Sequence, residues 1–214
     1  MSGPAEYLKK MIRRGYALLF AFVFIFYIGA SALPAVLMSN GNSATAKLIY
    51  NGFHFACHQY PWRSWFLKGK QAYYPLISAD SPDMLSFEEA SGSPIAEIDP
   101  RTFYGTPEMG FKMAICQRDV AIYGAMTVFA VLFFLSGNQI RSINWKLWLF
   151  FGILPIGLDG GTQLLSQIIP VIPFRESTPL LRSLTGALFG FLTCWYLLPI
   201  LENSLREGDK NDRQ

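Results

Sequence analysis

Charge is what this sequence lacks. Only 15% of its 214 residues are Asp, Glu, Lys or Arg, against roughly 25% in an ordinary soluble domain. That shortage excludes a chain disordered by its own charge and argues against a cytosolic enzyme, because too few charges remain to cover a water-facing surface. Cysteine is also scarce, at three, which excludes a secreted disulfide-stapled scaffold. Histidine occurs twice, and no paired CxxC spacing is present. A net charge of +3 without a concentrated basic face leaves no footprint for nucleic acid. No internal repeat is visible, which speaks against the inverted-repeat transporter plan.

The missing charge is missing in blocks. None occurs from Gly15 to Ala46, from Val120 to Ile140 or from Ser183 to Leu201, and Leu147 to Phe174 contains only Asp159. An apolar run of about 18–20 residues is long enough to cross a bilayer as a helix. The pattern predicts an all-α integral membrane protein with four spans, about 16–38, 120–140, 147–169 and 183–201, forming a single membrane domain over 1–214. Lys9, Lys10, Arg13 and Arg14 precede the first span, and Arg141 and Lys146 lie between the second and third. By the positive-inside bias both termini are then cytoplasmic. Ala30-Ser31-Ala32 resembles a cleavage site, but apolarity continues through Met38, which favours an uncleaved anchor. The expected location is a bacterial plasma membrane.

Residues 39–115 form a long extracytoplasmic loop or cap in this topology. Within it, Asn42 to Cys57 reads as a short amphipathic helix in the interface, with Leu48, Ile49, Tyr50 and Phe53 dipping into lipid. From about Lys68 to Lys112 the composition turns polar and rich in Pro, Ser, Glu and Asp, as in a small subdomain.

Asp159 is the first residue expected to carry chemistry. A carboxylate near mid-membrane costs at least a few kcal/mol unless it faces a bundle interior, a partner or water. Thr162, Gln163, Ser166 and Gln167 follow it on one helical face. Gly157 with Gly161, and Gly186 with Gly190, have the spacing of close helix contacts. A second set lies at the outer membrane level. Cys57, His58, Gln59, Pro61, Arg63 and Ser64 spell C-H-Q-x-P-x-R-S; Cys116, Arg118 and Asp119 spell C-x-R-D, with Tyr123 one turn further. Arg63, Arg118, Arg175 and Arg182 gather at that level, and arginine suits bidentate recognition of phosphate or carboxylate. The competing reading pairs them with Asp119, Asp159 and Glu176.

The expected ligand site is therefore Arg63, Arg118, Tyr123, Asp159, Gln163, Arg175 and Arg182. His58, Asp119 and Asp159 are the acid–base candidates if catalysis follows binding. Cys57 and Cys116 are expected to form a disulfide; a metal site drawing on His54, Cys57, His58 and Cys116 has suitable ligand types. Cys194 lies deep in the fourth span and reads as a packing residue.

The motifs CHQxPxRS, CxRD with its following Tyr, DGxTQ (Asp159, Gly160, Thr162, Gln163) and RSLTG (Arg182 to Gly186) resemble an uncharacterised prokaryotic membrane family, domain of unknown function 2085. The likeness runs over approximately residues 16–201. It implies a small multi-pass membrane protein and no established activity. About fifty residues separate RS from CxRD here, where the family pattern has a short segment, and the usual RDTGIY reads RDVAIY. Function stays open among four classes: an outer-leaflet site for an anionic lipid-like or small ligand, an accessory subunit of a larger complex or a homo-oligomer, a transporter or flippase using Asp159, and a metal-binding or redox protein.

Overall fold

The computed structural model describes residues 4–79, 84–169 and 171–211, with side chains described from residue 15 to residue 208 within those ranges. Lys9, Lys10, Arg13, Arg14 and Lys210 have side chains outside that description, and Arg213 lies wholly outside it. Four helices are long and apolar enough to cross a membrane: Gly15–Ser39, Gln117–Leu135, Trp145–Ile168 and Pro179–Gly208.

The first span is the apolar part of α1 (Pro4–Ser39), which turns into a short α2 (Ser43–Phe53). The chain then builds the cap before re-entering through α4 (Gln117–Leu135). The third span begins as α5 (Trp145–Leu147), widens into a π-helical turn (Trp148–Ile153), and continues as α6 (Leu154–Ile168). Pro155 explains the widening. Its ring has no N–H and would strike a carbonyl one turn back in a regular α-helix, so the turn before it opens. The last span lies in α7 (Pro179–Asn211).

The membrane core is where α1, α4 and α7 meet. Ala17, Ala21, Phe129, Ala130, Phe133, Cys194 and Leu198 are buried together, with Phe191 and Trp195 packed against them. Alanine at the crossings lets the helices approach, which matters in lipid because packing, not water exclusion, holds helices together. Gly186 and Gly190 use the same device more severely. A Cβ on Gly190 would collide with the Ile122 carbonyl oxygen, and one on Gly186 would come within 2.7 Å of the Arg118 carbonyl oxygen. Gly157 and Gly161, with identical spacing, face open space. Only the second of the two spacings marks a close contact.

The cap corrects the all-α expectation. It contains a three-stranded antiparallel sheet ordered β1-β3-β2, from β1 (Ser64–Leu67), β2 (Gly105–Thr106) and β3 (Gly110–Cys116). β1 and β3 pair Ser64 with Cys116, and Phe66 with Lys112. The strands escaped notice because β3 is buried on both faces over most of its length, and so shows no two-residue alternation. A short α3 (Phe87–Ser91) is closed by a capping box between Ser86 and Glu89. Trp62, Phe66, Tyr74, Leu76, Phe87 and Met109 give the cap its own core. α2 lies where the sequence places it, but Tyr50 points inward: it is fully buried, and its hydroxyl donates to the Lys112 carbonyl at 2.5 Å. Leu48 is exposed as expected.

Glycine packing is directly testable. Gly190→Val is expected to lower stability in detergent by about 1–3 kcal/mol, the usual cost of overpacking, whereas Gly157→Ala stays within about 0.5 kcal/mol of the parent. Thermal aggregation curves of the two variants measure the contrast.

Candidate functional site

Where β3 ends and α4 begins, consecutive residues face two different groups. Cys116 is the N-cap of α4. Gln117 and Arg118 turn toward α6 and α7, while Cys116, Asp119 and Tyr123 turn toward α1, as expected from 100° steps around a helix. The outer-level site expected as one constellation is two clusters back to back.

The first cluster is a guanidinium–carboxylate network centred on Glu176 and Asp159. Arg63 binds Glu176 bidentately, Nε to Oε1 and Nη2 to Oε2, both at 2.8 Å. Arg182 donates to the same Oε1, as does Gln163 at 2.6 Å. Arg182 also reaches the Gln117 side-chain oxygen at 3.2 Å, and Gln117 in turn donates to the Ser64 carbonyl at 3.2 Å. Cap, α4, α6 and α7 are thus joined through one buried carboxylate.

Asp159 is held in the same manner. Arg118 donates to its Oδ2 at 2.5 Å and Arg175 to its Oδ1 at 3.1 Å. Arg175 also binds Thr162 Oγ1 at 2.8 Å and the Asp159 carbonyl at 3.1 Å. Gly160 makes room for this arrangement, since a Cβ there would lie 3.1 Å from Arg118 Nη1. Ser166 accepts from the Arg175 backbone N–H at 3.1 Å. The α6 stripe is therefore real, but only Asp159, Gln163 and Ser166 are buried; Thr162 and Gln167 are exposed at its edge. Asp159 is not an isolated mid-membrane charge, because it lies level with the first turn of α4 and meets arginines there.

Six of the seven expected ligand residues belong to this network. Tyr123 does not: its ring packs on Tyr27, with centroids 4.7 Å apart, and on Phe24. Gln117 and the central role of Glu176 were not read from the sequence. A polar residue between Cys116 and Arg118 in the CxRD motif is the signal that could have drawn attention to Gln117.

The second cluster holds Cys57, Cys116 and Asp119, whose ligand atoms all lie within 4.8 Å of one another. Both cysteines are free thiols. Cys116 Sγ donates to Asp119 Oδ2 at 3.2 Å. The hydrogen bond between the two thiols lowers the Cys57 pKa and raises that of Cys116 well above the ordinary thiol value, where burial adds to it. Neither histidine joins the group. His58 is exposed and stacked beside Tyr60. His54 has its Nε2 buried without a hydrogen-bond partner, and burial lowers its pKa. Cys194 is buried in the membrane core, as expected of a packing residue.

Against this geometry, comparison with known proteins is informative. Residues 99–196 match the family described as "Predicted membrane protein (DUF2085)". The matching segment takes in CxRD, DGxTQ and RSLTG, the three motifs that α4, α6 and α7 bring together, and leaves out CHQxPxRS in the cap. The resemblance read from the sequence is thus found over a shorter stretch than residues 16–201. The chain is also similar to an uncharacterized protein, MJ1492, of Methanocaldococcus jannaschii, with 36% identity over 92 residues. Those residues are 42% of this chain and 54% of that protein, so the match spans about half of the relative's length. No solved structure matches.

Beside these motifs lies a group that they do not mention. Lys112 is fully buried in β3, with Nζ donating to the Gln59 carbonyl at 2.7 Å and to the Pro100 carbonyl at 2.5 Å. Burial lowers its pKa from 10.5 to about 7. Between those values the unfolded chain holds a proton that the folded chain has released, so stability rises with pH across that window, by at most about 1.4 kcal/mol per pH unit. Below about pH 7 both states are protonated and this contribution is flat. Lys112→Met is expected to flatten the dependence between pH 7 and 10, read as melting temperature against pH. Removing one carboxylate of the network strands its arginines. Glu176→Gln is expected to cost about 3–5 kcal/mol, since Arg182 is only 2% exposed. Asp159→Asn is expected to cost less, about 2–3 kcal/mol, because Arg118 and Arg175 keep 21% and 39% exposure. Denaturant titration of the purified variants checks that order.

Proposed function

We propose that the arginine network is an outer-leaflet site for an anionic lipid-like or small ligand bearing phosphate or carboxylate. The observation that carries the reading is an imbalance. Four guanidinium groups share two carboxylates, Asp159 and Glu176, which leaves a surplus of two positive charges at one level of the molecule. Three of the four retain exposed surface: Arg175 39%, Arg118 21% and Arg63 18%, the last committed to both oxygens of Glu176. The Nε atoms of Arg118 and Arg182 are buried without a hydrogen-bond partner, and an unmet buried donor costs about 1–3 kcal/mol. An anionic oxygen brought to the exposed Arg118–Arg175 edge would offset the surplus charge and take hydrogen bonds from the exposed face of the two guanidinium groups.

In this reading Glu176 and Asp159 hold the arginines in place, Gln163 orients Glu176, and Arg118 with Arg175 meet the ligand. The cap faces outward, as the basic residues at Lys9 to Arg14 and at Arg141 and Lys146 suggest. The chain would then reside in a bacterial plasma membrane with both termini inside. Both oxygens of Asp159 are engaged by arginine, which favours a fixed structural carboxylate over one that carries protons for transport.

The test uses the purified chain in nanodiscs of phosphatidylcholine carrying a minor fraction of phosphatidylglycerol, with native mass spectrometry reading bound lipid. Phosphatidylglycerol is expected to be retained in preference, and Arg175→Gln, which leaves Asp159 paired to Arg118, is expected to weaken retention about tenfold, equivalent to 1.4 kcal/mol. A parallel arm adds inorganic phosphate to lipid-neutral nanodiscs, so that thermal stabilisation there alone would identify a free anion as the ligand. Equal retention of both lipids together with no response to phosphate would overturn the reading.

A further inference from the structure

The thiol cluster stands apart from the arginine network and is not needed by it. Cys57 enters from the segment that follows α2, and Cys116 and Asp119 come from the first turn of α4, so three ligand atoms from two distant parts of the chain converge within 4.8 Å. Tetrahedral zinc with sulfur ligands at about 2.3 Å sets its donor atoms roughly 3.8 Å apart. The observed separations, from 3.2 Å between Cys116 Sγ and Asp119 Oδ2 up to no more than 4.8 Å, bracket that spacing.

The carboxylate supplies the second observation. Asp159 and Glu176 each contact two arginines, and Glu202 contacts Arg206 at 2.8 Å. Asp119, half-buried at the same level as the first two, is the exception: among the described residues no basic side chain pairs with it, and it accepts from the Cys116 thiol. Its neighbour Arg118 is committed to Asp159 on the other face of the helix. A carboxylate beside two ionisable thiols, with the phenols of Tyr27 and Tyr123 close by, is a ligand set in which, among the described residues, no basic side chain forms an ion pair with the carboxylate.

We propose that Cys57, Cys116 and Asp119 form a binding site for a thiophilic divalent cation, zinc by the character of the donors. Two thiolates with one carboxylate are too hard a set for copper(I), which selects sulfur alone, and too soft for magnesium or calcium, which take oxygen. Three protein ligands leave a fourth position open, the arrangement of zinc sites that hold a water or an exchangeable ligand. Binding releases the two thiol protons and forms two Zn–S bonds and one Zn–O bond, with no change of oxidation state. The site pins the start of the cap to the mouth of α4, independently of the arginine reading.

The experiment is metal analysis of the full chain, purified in detergent under reducing conditions without chelator. About one zinc per chain is expected, lost in Cys57→Ser and retained in Cys194→Ser. Exchange of cobalt(II) into the wild-type protein is expected to give thiolate-to-cobalt charge-transfer absorption, and Asp119→Asn, with both thiols intact, is expected to give up zinc to a competing chelator at least tenfold more readily. The wild-type measurements stand even where a variant fails to fold. Thiol counting without reductant decides against the main competitor. Three alkylated cysteines after zinc removal agree with the proposal. One alkylated cysteine, with two more appearing only after reduction, would make Cys57 and Cys116 a structural disulfide and overturn it. Three free thiols with no bound zinc and no cobalt spectrum would overturn it as well.

Discussion

Glu176 is the constraint on which the cap end of the molecule depends. Its side chain is 1% exposed and accepts from Arg63 of the cap, Arg182 of α7 and Gln163 of α6. Burying such a group costs several kcal/mol, and the cost is met only when partners are placed well. The surrounding features read as devices for that placement. Gly186 and Gly190 bring α7 against the first turns of α4, which sets Arg182 beside Gln117; Ser64, at the start of β1, receives Gln117 in turn. Ser166 receives the backbone of Arg175, and that fixes the segment from which Glu176 points inward. A network this costly is not needed to hold four apolar helices in a bilayer, where small-residue packing suffices.

What the network adds is a fixed relation between the cap and the spans. The cap has its own aromatic core and its own sheet, and it meets the membrane helices through an apolar seam, where Leu37 and Met38 of α1 pack against buried Ala46, Tyr50 and Ala114, and through polar links: Arg63 to Glu176, Ser64 to Gln117, and the Cys57 thiol to Cys116. Tyr50 adds a fourth, since its hydroxyl reaches the Lys112 carbonyl from α2, the helix that leads out of the first span. Polar links are directional, so they specify an orientation that an oily contact would leave free. The consequence is that α4 begins at a defined height and rotation, with Arg118 facing one way and Asp119 the other.

How much of this could be read in advance follows from which signals survive burial. The four spans were legible because charge is absent from them almost completely, and length alone then assigns a helix. The arginines and Asp159 were legible because a charge near an apolar run is conspicuous. Their pairing with Asp159 and Glu176 was legible only as a competing reading, and which arginine meets which carboxylate was not, because that depends on α6 lying with Asp159 level with the start of α4, which no local pattern encodes. Tyr123 was assigned to the wrong group for a related reason: it follows Asp119 by one turn, so it shares the face of Asp119, not that of Arg118. The sheet was hidden because β3 is buried on both faces and reads as a plain apolar run. Lys112 was hidden within that run, its charge resembling an ordinary loop lysine although its amine is enclosed by two carbonyls.

The separation into two clusters has a physical consequence for any chemistry at this level. Arg118 and Asp119 are adjacent in sequence and opposite in charge, yet they do not neutralise each other, because a helix points neighbours about 100° apart. Arg118 adds to a surplus of positive charge on the α6–α7 face; Asp119, on the α1 face, forms no ion pair with a basic side chain among the described residues. A single reactive centre using His58, Asp119 and Asp159 together would have to bridge both faces of α4, and His58 is exposed away from either. The two faces of α4 therefore suit two separate sites, as proposed above for an anion and a cation, more readily than one concerted reaction. Cys116 lies in the electrostatic reach of Arg182, so if both proposed sites fill, a charge bound at one would alter the field at the other without any movement of the helices.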